Sequence, residues 1–200
     1  SNATIGHGLG VAPKVILTKV LGTTQNWFVF HKSLFDLGND RILNLNNSDA
    51  YASGSSIFQS TAPTSSVFSV GTSFSAHDYI AYCFAEKTGF SKFGSYAGNG
   101  NADGTFIYTG FKPAFILYKN STDAATNWQI HDSARSPSNL SVNRLNPNDS
   151  SVQVTTTGDS FDLLSNGFKA RGTGSNSNTS AKIYIYMAFA EEPLVSSNGV

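Results

Sequence analysis

Apolar residues along this chain fall in short runs of β-branched and aromatic side chains, separated by clusters of Ser, Thr, Asn and Gly. That is the pattern of strands joined by turns in β-sandwiches and barrels. Strands are expected at 14–20, 27–31, 42–45, 56–59, 66–70 and 79–86, then at 114–119, 128–131, 152–155, 161–164 and 182–190. No stretch shows helical periodicity. Pro13 and Pro113 each open an apolar run, a position where a missing N–H does little harm. In the run from Tyr79 to Glu86, alternation sets Ile80, Tyr82 and Phe84 on one face against Ala81, Cys83 and Ala85 on the other. The run from Tyr184 to Glu191 sets Ile185, Met187 and Phe189 against Ala188 and Ala190. A strand apolar on both faces belongs inside a sheet, so each run is expected at the centre of its own unit.

These two runs belong to a longer internal repetition. Gly10-Val11-Ala12-Pro13-Lys14-Val15-Ile16-Leu17 is echoed 100 residues later by Gly110-Phe111-Lys112-Pro113-Ala114-Phe115-Ile116-Leu117. Asn26-Trp27 returns as Asn127-Trp128, His31 as His131, and Arg41 with Leu43-Asn44 as Arg144-Leu145-Asn146. The order of landmarks holds while the offset drifts only to 105 at the closing run, which places insertions in loops. The expected architecture is all-β, two tandem copies of a β-sandwich or jelly-roll-like unit. Its boundaries are read as a tag remnant at 1–3, a first repeat at 4–88, a Gly/Asn-rich junction at 89–104, a second repeat at 105–194 and a tail at 195–200. The junction can also supply strand residues at Phe90, Phe93 and Tyr96. Ser1-Asn2-Ala3 reads as a cleavage scar, and the chain as a piece excised from a longer protein.

Composition narrows the function classes. A chain of 200 residues with 40% hydrophobic and 12% aromatic content can bury a core. Its 13 Lys and Arg are balanced by 13 Asp and Glu, so no summed field draws it to nucleic acid or an anionic membrane. No apolar run reaches the roughly 18–20 residues of a membrane helix, and no signal segment opens the chain, so a soluble fragment is expected. Cys83 stands alone, which rules out an intrachain disulfide and a thiolate metal cage.

Candidate chemistry is sparse. Cys83 is replaced by Ala188 in the second copy and reads as a core residue on a buried strand face. His131-Asp132-Ser133 holds the residue types of a hydrolase triad, but strand neighbours point to opposite faces, and the first copy reads His31-Lys32-Ser33. The acidic residues Asp132, Asp159, Asp162, Glu191 and Glu192 show no pairing of the kind glycosidases need. His7, His31, His77 and His131 have no ligand spacing, so no metal and no cofactor is expected. Trp27 with His31, and Trp128 with His131, could form an aromatic platform beside a polar ring that holds a sugar face; a core tryptophan with an edge histidine is the competing reading. The tract from Ala97 to Gly104 reads as loop, and Arg171 to Ser180 as a flexible polar hairpin tip.

At these landmarks the sequence resembles a domain recurring in structural and tail-fibre-type proteins of marine bacteriophages, including those infecting cyanobacteria. The likeness runs from Gly8-Leu9-Gly10 to Glu191-Glu192-Pro193. It is carried by Tyr79 to Glu86, by Gly89 to Tyr96 with Gly98-Asn99-Gly100, by Asp132-Ser133-Ala134-Arg135, and by Leu164 to Lys169. The resemblance implies a virion setting and no active site to carry over. The expected function is a non-enzymatic virion module that binds a host cell-surface glycan or receptor through loop residues on a rigid β scaffold. Candidate ligand-binding residues are Trp27, His31, Tyr96, Asn99, Trp128, His131 and Arg135. The alternative is a structural or oligomerisation module that contacts other virion chains or its own copies. A depolymerising enzyme would need converging carboxylates that the sequence does not present. Neither nucleic acid nor membrane insertion is expected.

Overall fold

Two sheets meet face to face across the middle of the molecule, one built from residues 15–84 and the other from residues 91–190. A computed structural model describes residues 2–38, 40–74 and 77–192. Ser1 of the expected remnant and the expected tail at 195–200 lie outside the described residues. Among the described residues 40% lie in strands and 6% in helix, and no barrel closes; the protein is all-β.

In chain order the first half runs β1 (Ala3–Gly6), β2 (Val15–Val20), β3 (Phe28–His31), a one-turn helix α1 (Lys32–Phe35), β4 (Arg41–Asn44), β5 (Ala52–Ser53), a second turn α2 (Ser55–Phe58), β6 (Val67–Val70) and β7 (Tyr79–Phe84). The rest runs β8 (Ser91–Ala97), β9 (Phe106–Tyr108), β10 (Pro113–Asn120), β11 (Gln129–Asp132), β12 (Asn143–Arg144), β13 (Val154–Thr155), β14 (Phe161–Leu164), β15 (Gly167–Ala170) and β16 (Ile183–Ala190). The first central sheet has the order β5-β4-β3-β2-β7, the second β11-β10-β16-β8.

Alternation along each strand decides which layer each side chain enters. Val15, Val29, Leu43 and Phe84 from the first sheet meet Phe93, Leu117, Ile185 and Met187 from the second in one shared core. The opposite face of the first sheet, with Ile16, Phe30 and Ile42, packs under α2 and the β1–β6 pair through Ile57, Phe58, Phe68 and Val70. The opposite face of the second sheet, with Ile116, Tyr118, Tyr184 and Tyr186, packs under the β14-β15-β9 sheet through Ile107, Phe161, Leu163 and Phe168. Apolar burial on both faces of two sheets gives four layers.

Pairing registers run in parallel in the two halves. Val15 faces Phe84 between β2 and β7, and Phe115 faces Phe189 between β10 and β16. Val29 faces Leu43, and Ile130 bridges Leu145. Ile5 faces Phe68 in one outer layer, and Ile107 faces Phe168 in the other.

Several expectations are corrected. The closing strand is central only in the second half, where β16 lies between β10 and β8; β7 is the edge of its sheet. Its faces are accordingly not both buried, since Ile80 is 37% and Tyr82 44% exposed. Residues 56–59 form no strand. Ile57 and Phe58 are adjacent and both buried in the same layer, which a helical turn permits and a strand's alternation forbids. The junction supplies β8, bonded to β16 from Ser91 to Ala97, while Phe90 stays in the preceding turn. The tract from Arg171 to Ser180 is no solvated tip. Ser177 and Asn178 are buried, and the Asn178 amide donates to Asn99 Oδ1 and to the Asn101 and Gly172 carbonyls.

Candidate functional site

A repeated asparagine clamp positions each tryptophan. The Trp27 N–H donates to Asn46 Oδ1 at 2.8 Å, and the Asn46 amide donates to Asn26 Oδ1 at 3.0 Å. In the second half the Trp128 N–H donates to Asn148 Oδ1 at 2.8 Å, and the Asn148 amide donates to Asn127 Oδ1 at 2.9 Å. The same clamp leads to different surroundings. Trp128 is buried in the shared core, where its indole N–H donates to the Asn44 carbonyl at 2.8 Å. Trp27 is half-buried at the open end of the first sheet, where its ring stacks on Tyr82 with centroids 6.3 Å apart and planes 20° apart.

Around that pair the surface combines apolar area with hydrogen-bonding groups. Ile80, two residues along β7 on the same face as Tyr82, is exposed. The Gln25 amide oxygen turns away from the pair, accepting from the Tyr79 hydroxyl at 3.1 Å on the opposite face of β7. Lys19 curls its ammonium back onto the Val20 and Thr23 carbonyls. An aromatic face flanked by amides can hold an apolar face and its hydroxyl rim together, which is the chemistry of sugar recognition.

The seven residues expected from sequence do not form one site. His31 is buried in the core, not at an edge; its Nε2 donates to the Tyr186 carbonyl at 3.1 Å, so it ties the halves together. Burial pushes its pKa down to about 4, against the smaller upward pull of that carbonyl. His131 is also buried, with Nδ1 bonded to Ser141 Oγ at 3.0 Å. Burial, with the Arg144 charge, pushes it down to about 4. Tyr96 is a core residue whose hydroxyl donates to the Ser177 carbonyl, and burial holds it well above the usual phenol range. Asn99 is exposed but braces its own loop through the Asp103 carbonyl. Arg135 pairs with Asp132 at 2.8 Å on the surface. Of the seven, Trp27 alone joins the stacked corner.

In the run His131-Asp132-Ser133, His131 is buried with its Nδ1 on Ser141 Oγ, and Asp132 pairs with Arg135. Cys83 is partly buried beside the outer core, and burial raises its thiol pKa, which disfavours the nucleophilic thiolate. Among the described residues, no three of His, Cys, Asp and Glu gather as a metal set. No helix among them is long and apolar enough to cross a membrane.

Sequence reasoning missed Tyr82, Ile80 and Asn46. The asparagine had a signal, since Asn46 and Asn148 each follow the repeated Leu-Asn landmark by two residues. A family model matches residues 1–193. The chain belongs to a family described as a domain of unknown function, DUF7483. No curated protein matches the chain, and no solved structure does. The DUF7483 match spans both clamped tryptophans, the stacked corner and all four layers.

Proposed function

We propose that this DUF7483 chain is a non-enzymatic binding module of a virion, of the tail-fibre type its sequence resembles, and that it holds a host surface glycan or receptor on the Trp27–Tyr82 corner. The observation that carries this reading is the stacked, solvent-reaching aromatic pair at the open end of the first sheet, with Asn26 and Asn46 bonded together beside it. The chain also reads as a duplicated sandwich unit. That is supported by the matching registers, the matching asparagine clamps and the ordered landmarks. On this reading one copy of the clamped tryptophan has gone into the core and the other has stayed available.

The test is a glycan array with a host-cell binding assay on the fragment, its oligomeric state recorded by light scattering. Trp27→Ala and Tyr82→Ala should each weaken binding by roughly tenfold or more with the fold intact. Tyr108→Ala, which removes a ring 64% exposed on β9 far along the chain, should leave binding unchanged. Equal losses from all three variants would refute the corner as the site. A stable oligomer without binding would favour the assembly role.

A further inference from the structure

We propose that the outer edge of β7 is a docking site for an antiparallel polypeptide strand with the side-chain pattern of β8, supplied from outside the 200 residues. This goes beyond the glycan reading, since the ligand is a backbone.

The second half shows what such a strand does. Gly98 N–H bonds to the Lys182 carbonyl, and Ser121 N–H to the Ile183 carbonyl. By antiparallel alternation Tyr184, Tyr186 and Ala188 therefore turn their backbone groups to β8, while Ile183, Ile185 and Met187 turn theirs to β10. β8 then places Phe93 beside Met187 on the shared-core face and Tyr96 beside Tyr184 on the outer face. Tyr96 stacks on Tyr184 with centroids 4.9 Å apart. Under this cover Ile185 and Met187 are 1% and 5% exposed.

In the first half the same positions are bare. Leu21 N–H bonds to the Asp78 carbonyl, so Ile80 and Tyr82 direct their backbone groups to β2, and Tyr79, Ala81 and Cys83 direct theirs outward. Among the described residues no strand pairs with that side. The counterparts of Ile185 and Met187, namely Ile80 and Tyr82, are the exposed ones. On the outer face, where Tyr96 lies in the second half, there is instead a cavity of about 320 Å³. Thr18, Phe68, Phe74, Tyr79, Ala81 and Cys83 line it, and among the described residues the buried Thr18 Oγ1 has no hydrogen-bond partner. Thr18 and Ala81 stand where the second half has Tyr118 and Tyr186, so the smaller side chains leave the room. An open ladder, a bare apolar face on one side and an aromatic-sized cavity on the other all lie at one edge. A strand carrying aromatic residues three apart satisfies all of them at once, by the strand-addition mode of peptide recognition.

The probe is a synthetic peptide with the sequence Gly89 to Gly98, titrated into the intact fragment and followed by amide hydrogen exchange and calorimetry. Saturable binding should slow exchange at Tyr79, Ala81 and Cys83. Ala81→Pro should weaken binding by roughly tenfold or more. It removes an outward N–H, leaves the bonds of Ile80 and Tyr82 to β2 in place, and sits where edge strands accept proline. A peptide lacking both aromatics should also fail, which keeps the proposal testable if the proline variant does not fold. Absence of protection on β7 would overturn the proposal. So would binding that Ala81→Pro leaves untouched, since the peptide would then be displacing the resident β8. Concentration-dependent protection of β7 without peptide would also overturn it, assigning the edge to a second copy of this chain.

Discussion

The strands that close the two halves, β7 and β16, share half of their aligned residues and pair with β2 and β10 in the same register, yet one lies at a sheet edge and the other in a sheet centre. The difference is supplied by β8, a segment that follows β7 in the chain but bonds to β16. Burial here belongs to the neighbours more than to the strand. Matched truncations make that measurable. Ile185→Ala should cost about 4 kcal/mol in denaturant unfolding, because Ile185 is buried between two strands and under the opposite sheet. Ile80→Ala, at the counterpart position, should cost under about 1 kcal/mol, since water already reaches it. Equal costs would mean that the edge of β7 is covered in solution.

A second contrast lies between the two buried histidines. His31 bonds across to Tyr186 of the other half, whereas His131 bonds to Ser141 within its own. Both are held neutral, with pKa values pushed from 6.5 to about 4 by burial. Between those values the unfolded chain takes up protons that the folded chain refuses. The stabilisation is therefore fully present above pH 6.5 and is lost as pH falls toward 4. At pH 5 the loss is about 2 kcal/mol for each histidine. Unfolding free energies of the parent and of the His31→Gln and His131→Gln variants at pH 7 and pH 5 check this. Each substitution should remove its own share of the pH dependence, and an unchanged slope in either variant would show that histidine to be solvated.

Much of the fold was legible because alternation is local. The strand runs, their apolar faces and the ordered landmarks all follow from side-chain type at a two-residue period. What escaped depended on partners far away in the chain. Nothing in Tyr79 to Phe84 says that β8 is withheld from it, so the pattern that predicts a central strand is right for β16 and wrong for β7. The tract from Arg171 to Ser180 has a loop's composition, and only the Asn178 bonds to residues 99 and 101 make it a packed wall. At the candidate site Trp27 was legible as a repeated Asn-Trp landmark. Tyr82 was not, because its exposure comes from the missing neighbour.

The finest contrast is between the two clamps, whose hydrogen bonds are the same and whose settings differ. Asn148 satisfies the N–H of a tryptophan sealed in the core, so Asn148→Ala strands a partly buried donor and should cost about 1.5 kcal/mol of stability. Asn46 does the same for Trp27 in an exposed setting, where water can replace the lost amide, so Asn46→Ala should cost about 0.5 kcal/mol. Its effect should appear in binding instead, because the Asn46 clamp holds the Trp27 ring in place beside Tyr82. Thermal unfolding and glycan binding measured on both variants separate the two roles. Asn148→Ala should lower stability and leave binding per folded molecule unchanged, whereas Asn46→Ala should weaken binding with only its smaller loss of stability. If both variants lose stability alone, the two clamps serve the fold equally and the Trp27–Tyr82 corner is not a binding surface.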